Sequence, residues 1–149
     1  MNRLHLHITV EDIERSVGFY STLLGAKPSV SKTDYAKWTL DDPAVNLAIS
    51  VRSSMAPGLN HLGIEADSRD DLDAITDRLK SAAVSTFDQE STTCCYAVSD
   101  KSWVEDPSGI RWETFFTHGD SAVYGVDASQ EAPVTKSVKP QPPRSACCQ

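Results

Sequence analysis

The chain repeats one order of sequence patterns: a strand that carries a histidine, then an amphipathic helix, then short strands. In the first half, residues 4–10 alternate between apolar and polar, which predicts a half-buried strand with His5 and His7 on the face opposite Leu, Ile and Val. In the second half, residues 60–65 predict the equivalent strand, which carries His61. Identity between the halves is weak, so the repeat rests on the order of elements. The order predicts an α+β fold of paired βαβββ modules.

One helix is predicted in each module. Apolar residues recur at helical spacing from Ile13 to Leu24, and Gly25 is a common helix terminator. In the second module Ser68 is a suitable N-cap, and the buried stripe is predicted to contain Leu72, Ile75 and Leu79. Three short strands are predicted after each helix, at residues 29–31, 35–40 and 46–51, and at residues 84–90, 103–106 and 111–116.

The predicted folded domain covers residues 1–118, with modules at about 2–54 and 59–118 joined by a Pro-Gly linker. Beyond His118 the prolines increase and apolar periodicity is lost, which predicts a flexible Pro-rich tail over residues 119–149. The tail ends in a cysteine pair, Cys147-Cys148, which is either an arm that captures metalloid or a pair without a role.

Charge and hydropathy exclude several classes of function. The 149 residues carry a net charge of −7, which disfavours nucleic acid as a partner. No apolar run approaches the ~20 residues that cross a bilayer, and the N-terminus lacks the apolar block of a signal peptide. We therefore expect a cytoplasmic protein, in which the four cysteines stay reduced.

Three residues are candidate ligands of a metal ion. His5 and His61 lie on equivalent strands, and Glu113 lies on the last predicted strand. Two imidazoles and one carboxylate leave coordination positions open, as non-haem Fe(II) requires for binding oxygen. His7 competes with His5, because the two share a face. Taken singly, each histidine is more often a satisfied strand residue, and the glutamate is more often a surface acid.

Cys94 and Cys95 are candidate ligands of a soft partner. Polar residues on both sides, including Thr92, Thr93 and Lys101, predict an exposed, mobile loop. Two thiolates match the two exchangeable positions of a trivalent organoarsenical, whose third bond is to carbon, and Cd²⁺ is a second thiophilic candidate. A zinc finger is disfavoured, because no second cysteine pair lies at a suitable spacing in the folded part.

These motifs together resemble a known superfamily. His5, five positions before Val10 and followed by residues 12–16 and Phe19-Tyr20, is similar to the first module of the vicinal oxygen chelate superfamily, which includes glyoxalase I, thiol transferases and extradiol dioxygenases. Residues 60–64 and 106–113 resemble its second module. Residues 34–37 and 92–97, with their double cysteine, resemble its arsenic and cadmium resistance branch, ArsI/CadI. The resemblance covers about residues 1–118.

The resemblance implies both a site and an activity. It favours His5 over His7, with His5, His61 and Glu113 as the Fe(II) ligands. Cys94 and Cys95 would bind the arsenic, and Tyr96 and Lys101 would line or order the loop that carries them. The implied reaction uses O₂ to cleave the carbon–arsenic bond of trivalent organoarsenicals and releases inorganic arsenite.

Two other functions stay open at this point. The first is a non-catalytic protein that sequesters cadmium or arsenite through its thiols. The second is a glyoxalase-like or thiol-transferase enzyme, which ranks last because it gives no role to the double cysteine. The sequence does not decide between a monomer and a homodimer, because the two modules can pair within one chain or between chains.

Overall fold

The computed structural model of the protein describes residues 1–52 and 55–125. The ends of the ten elements, in chain order, are β1 Arg3–Thr9, α1 Ile13–Leu24, β2 Val30–Ser31, β3 Tyr35–Asp41, β4 Ala44–Ser50, β5 Gly58–Glu65, α2 Arg69–Ser81, β6 Phe87–Cys94, β7 Ala97–Glu105 and β8 Arg111–Asp120. Each half therefore follows the predicted order of one strand, one helix and three strands. Cys147, Cys148 and most of the expected tail lie outside the described residues.

One curled, mixed sheet of eight strands joins the two modules. Its order is β2-β3-β4-β1-β5-β8-β7-β6, so the first strands of the modules, β1 and β5, lie side by side in the centre and run antiparallel. Each pairs on its other side with the last strand of its own module, in parallel. The two modules thus share a sheet within a single chain.

The helices begin and end where the sequence provides caps. The Asp12 side chain accepts a hydrogen bond from the Arg15 backbone N–H at the start of α1, and Gly25 ends the helix in a left-handed conformation. Ser68 caps α2 by accepting a hydrogen bond from the Asp71 N–H. These caps satisfy backbone groups that have no partner inside the helix.

The two faces of the sheet bury different kinds of side chain. In the first module, Trp38, Leu47 and Ile49 form an apolar core on which the inner face of α1 packs. On β1 the histidine face is the more deeply buried, because His5 and His7 are 5% and 1% exposed. Leu4, expected to face the core, is 48% exposed. The prediction of a half-buried strand is therefore wrong for β1, since its polar face is enclosed by the second module.

The segment around the double cysteine is not the exposed, mobile loop that the sequence predicts. β6 and β7 form a hairpin in which Cys94 pairs with Ala97, and Cys95 and Tyr96 form its two-residue turn. The strands are longer than predicted because buried polar residues, such as Ser99 and Lys101, replace the apolar alternation that normally marks a strand.

The ordered chain continues past residue 118. β8 extends to Asp120, and Gly125 forms an isolated β-bridge with Cys94. Residues 119–125, expected to belong to the tail, are therefore part of the structure, at the end of the β6–β7 hairpin that carries Cys94 and Cys95.

Neither described helix is long and apolar enough to cross a membrane.

Gly63 is required by the close approach of two central strands. It lies between His5 on β1 and Glu113 on β8 in the strand register, and a Cβ atom there would stand 2.1 Å from the Glu113 carbonyl oxygen. We expect Gly63→Ala to lower the free energy of unfolding by about 1–3 kcal/mol, because a backbone oxygen must move. Urea denaturation measures this change.

Gly119→Ala is the matched control. Its added Cβ would meet only the Val98 Cβ, at an ordinary 3.9 Å. We expect a change within about 0.5 kcal/mol. Equal effects of the two substitutions would contradict the account of strand packing.

Candidate metal and thiol site

Three electron-rich atoms converge at the centre of the sheet. The Nε2 atoms of His5 and His61 are 3.2 Å apart, and Glu113 Oε2 lies 3.7 Å from the first and 3.2 Å from the second. All three residues are buried, each at most 5% exposed. Metal–ligand bonds of about 2.1 Å at right angles place donor atoms about 3 Å apart. These three atoms therefore have a spacing suited to one metal ion.

The hydrogen bonds of the histidines direct their free nitrogens to the same point. His5 Nδ1 lies 3.0 Å from the carbonyl oxygen of Asn46, and His61 Nδ1 lies 2.8 Å from the side-chain oxygen of Asn60. Because those oxygens accept hydrogen bonds, each Nδ1 carries the proton and each Nε2 presents a lone pair. Such partners orient the ligating histidines of metal sites.

A cation is the chemical group that fits among these donors. Two facing lone pairs and a carboxylate oxygen repel one another unless a positive charge lies between them. Burial first, and then the neighbouring His61, lower the pKa of His5 to about 3. The imidazole is therefore neutral at physiological pH and available as a ligand.

His7 belongs to a second, overlapping set. The ligand nitrogens of His5, His7 and His61 all lie within 4.8 Å of one another and could also hold a metal ion. His7 Nε2 is hydrogen-bonded to the Ser50 hydroxyl at 2.8 Å. The set with Glu113 is tighter, with no separation above 3.7 Å, and it supplies a negative charge.

Lys101 balances that charge from β7. Its Nζ lies 2.5 Å from Glu113 Oε1, the carboxylate oxygen that does not face the histidines. Burial alone would raise the pKa of Glu113, yet the Lys101 ammonium beside it holds that pKa well below its usual range. Burial likewise opposes the charge of Lys101, while Glu113 raises its pKa. The lysine is thus a buried partner of the carboxylate, not a residue of an exposed loop.

The two thiols lie side by side at the end of the β6–β7 hairpin. Cys94 Sγ and Cys95 Sγ are 3.1 Å apart, and both cysteines are free. The contact with Cys95, followed by burial, raises the pKa of Cys94, and the same contact lowers the pKa of Cys95. Cys95 is therefore the more acidic thiol of the pair.

The turn holds the thiols in an uncommon backbone conformation. Cys95 and Tyr96 have φ values of 56° and 62°, the combination that two-residue hairpin turns need and that Gly and Asn usually provide. A left-handed residue with a Cβ costs about 1–2 kcal/mol. The turn brings together two adjacent side chains that would diverge on an extended strand.

One cavity receives most of the predicted site residues. Its lining includes His5, His61, Glu113, Cys94, Cys95 and Lys101. Tyr96 is not among the lining residues, and its hydroxyl donates to Asp34 at 2.8 Å. The amide oxygen of Asn46, which also lines the cavity, is buried and without a hydrogen-bond partner among the described residues.

Sequence reasoning missed Tyr124. This residue falls within the expected tail, yet its hydroxyl accepts a hydrogen bond from Cys95 Sγ at 3.2 Å. The signal available in the sequence is an aromatic residue followed by glycine, ahead of the first proline of the expected tail, Pro133.

The fold and the buried donors define a class of protein. The model of the "Glyoxalase/Bleomycin resistance protein/Dioxygenase superfamily" matches residues 3–114, and the chain belongs to this superfamily. The resemblance inferred from the motifs is thereby confirmed.

Two similar relatives carry more specific names. The "Trivalent organoarsenical cleaving enzyme" of Bacillus sp. (strain MD1) is 35% identical, over 99% of this chain and 91% of its own length. The "Cadmium-induced protein CadI" of Mycobacterium tuberculosis is 38% identical, over 84% and 82%.

Solved structures support the fold. Homoprotocatechuate 2,3-dioxygenase from Brevibacterium fuscum is similar with a TM-score of 0.58 and 19% identity, over 82% of this chain and 38% of that longer chain. The Mn(II)-bound glyoxalase from Novosphingobium aromaticivorans has a TM-score of 0.56 and 16% identity, over 85% and 44%. At these identities the likeness establishes the α+β fold of the superfamily and no activity.

The neutral His5 predicts a pH dependence of stability. Between pH 6.5 and about 3 the unfolded chain binds a proton at this histidine that the folded protein does not. We therefore expect the metal-free protein to lose free energy of unfolding as pH falls through this window. One proton contributes at most about 1.4 kcal/mol per pH unit.

Urea denaturation of the metal-free protein at several pH values measures the slope. His5→Gln removes the titrating group and keeps a polar side chain, so its stability should fall less steeply below pH 6.5. Parallel curves for the two proteins would show that His5 is not held neutral in the folded state.

Proposed function

We propose that this protein cleaves the carbon–arsenic bond of trivalent organoarsenicals in a reaction that depends on Fe(II) and O₂ and releases inorganic arsenite. The observation that carries the proposal is the shared cavity. Two thiols suited to arsenic and three nitrogen and oxygen donors suited to a metal ion line the same cavity. The relatives named as organoarsenical cleaving enzymes support the substrate class.

His5, His61 and Glu113 are the proposed ligands of Fe(II). Two neutral imidazoles and one carboxylate form the donor set of many non-haem Fe(II) oxygenases and leave positions open. Fe(II) held there supplies the redox chemistry by which O₂ reacts with an organic substrate. Lys101 keeps Glu113 ionised without occupying the oxygen that faces the histidines.

Cys94 and Cys95 are the proposed arsenic ligands. A trivalent organoarsenical can exchange two oxygen ligands for two sulfurs while it retains its bond to carbon. The short distance between the thiols lets one arsenic atom bind both. Binding in this way fixes the carbon–arsenic bond near the metal ligands, and such orientation is a large contribution to catalysis.

Aromatic side chains enclose the metal ligands. The Phe115 ring lies 5.0 Å from the His5 ring, and the Trp103 ring lies 5.1 Å from that of His61, both edge-on. Both aromatic residues also line the cavity. Their role in the proposal is to restrict water around the reacting groups, which strengthens electrostatic interactions inside the cavity.

A second candidate is a non-catalytic protein that binds cadmium or arsenite. The free thiol pair and the relatives named as cadmium-induced favour it. This candidate gives no role to the buried His5, His61 and Glu113, so the enzyme ranks first. A cytoplasmic location belongs to both proposals, because free thiols persist in a reducing compartment. A homodimer remains an expectation from the family resemblance alone.

Substitutions at the two groups of residues separate the candidates. The protein is reconstituted anaerobically with Fe(II), trivalent methylarsenical is added in air, and released arsenite is measured. We expect His61→Ala and Glu113→Ala to lower turnover by at least about 100-fold, because each removes a metal ligand. Both variants should still bind the arsenical. Cys94→Ser, in a chain that also carries Cys147→Ser and Cys148→Ser, should abolish binding and turnover together.

His118→Ala and Glu105→Ala are matched controls, since both residues are exposed and neither lines the cavity. They should release arsenite at the rate of the unsubstituted protein. Tight arsenical or Cd²⁺ binding without any release of arsenite would reject the enzyme and favour the sequestering protein.

A further inference from the structure

After β8 ends, the chain passes beside the Cys95-Tyr96 turn of the β6–β7 hairpin. We call residues 121–125 the strap. At its start, the Ser121 N–H donates a hydrogen bond to the carbonyl oxygen of Tyr96 at 2.8 Å. At its end, Gly125 forms a β-bridge with Cys94. The strap therefore contacts the hairpin on both sides of Cys95.

Gly125 allows the strap to come this close. Its φ is 79°, and a Cβ atom at this position would lie 1.9 Å from the carbonyl oxygen of Thr93. A larger residue would have to push the strap away from β6 and would also adopt a strained backbone conformation. The contact between the strap and the thiol hairpin is thus built into the chain.

Tyr124, the residue before that glycine, is held in place by two other aromatic rings and a cation. The ring centroids of Tyr35, Tyr96 and Tyr124 are separated by 5.5–5.9 Å in all three pairs. Such distances are typical of packed aromatic pairs. The Arg52 guanidinium lies 3.6 Å from the Tyr124 ring centroid, over its face. The Tyr124 hydroxyl therefore has a defined position.

That hydroxyl is in contact with one thiol of the pair. Cys95 Sγ donates to Tyr124 Oη at 3.2 Å, and Cys94 Sγ lies on the other side of Cys95 Sγ at 3.1 Å. Tyr124 does not line the cavity, so it holds the sulfur from behind. Removing the hydroxyl would take away one of the contacts that hold the Cys95 side chain beside Cys94, while the contact with His7 would remain.

We propose that Tyr124 is a positioning residue of the thiol site, which holds the Cys95 sulfur beside that of Cys94 so that both bond the same arsenic atom. This inference rests on the proposed function, because it assumes that the thiols bind the organoarsenical. It adds a residue and a segment that act on the sulfurs and not on the metal ligands.

The binding step is an exchange of ligands without oxidation or reduction. A methylarsenical with two hydroxyl groups forms two As–S bonds and loses both As–O bonds. Each hydroxyl group leaves as water with the proton of one thiol, and the As–C bond stays intact. A dimethylarsenical has a single exchangeable position and forms one As–S bond. Positioning of one sulfur beside the other therefore affects the first ligand and not the second.

The test measures binding of both arsenicals by calorimetry, without iron or oxygen. The full-length chain is used, with Cys147→Ser and Cys148→Ser in every sample so that only the hairpin thiols bind. Tyr124→Phe keeps the ring and removes the hydroxyl. We expect its dissociation constant for trivalent monomethylarsenical to rise about five-fold, the effect of one neutral hydrogen bond. The dissociation constant for trivalent dimethylarsenical should stay unchanged.

Two further variants test whether the effect comes from the position of the Cys95 sulfur. Gly125→Ala displaces the strap and keeps the hydroxyl, and it should weaken monomethylarsenical binding in the same selective way. Tyr20→Phe, a matched substitution on α1 far from the thiols in the fold, should change neither constant. Thermal unfolding of each variant confirms that it folds.

Equal affinities of Tyr124→Phe and the parent for monomethylarsenical would overturn the inference, and so would equal losses for both ligands. If the proposed function itself is wrong, the binding measurements give a different result. In that case the parent would bind monomethylarsenical no more tightly than its Cys94→Ser variant does.

Discussion

The antiparallel pairing of β1 with β5 is the constraint on which the rest of the structure depends. It joins the two modules through the first strand of each, and it places His7 opposite His61 and His5 opposite Gly63. The parallel pairing of β5 with β8 then brings Glu113 beside the same glycine. Donors from both halves of the chain meet because the central residue has no side chain. The positions of the candidate metal ligands are thus set by the strand register of the sheet.

The cavity separates hard donors from soft ones. Nitrogen and oxygen donors lie on central strands, while both sulfurs lie at the tip of an outer hairpin. A hard or borderline metal ion prefers the first group and a trivalent arsenical prefers the second. Lys101 strengthens this separation, because it pairs with Glu113, the only carboxylate among the described residues that line the cavity, and keeps it ionised. The two groups can therefore hold different partners at the same time.

The sequence predicts the order of elements and the residues of the cavity better than it predicts the conformation of the thiols. The strands with His5 and His61 are recognisable because apolar residues alternate with them, and periodicity reports strands well. The strand that ends at Cys94 is not recognisable in this way, because it buries polar side chains inside a cavity. A run of polar residues in a sequence normally predicts a loop. Tyr124 is missed for a related reason: a short strap held by hydrogen bonds and ring packing has no period.

X-ray absorption at the arsenic and iron edges of one anaerobic sample, loaded with Fe(II) and trivalent methylarsenical, tests the central claim most directly. The account predicts arsenic bonded to one carbon and two sulfurs, and iron bonded only to nitrogen and oxygen. Sulfur in the iron shell, or arsenic with a single sulfur, would contradict it, because the thiols and the metal ligands would then not serve separate partners.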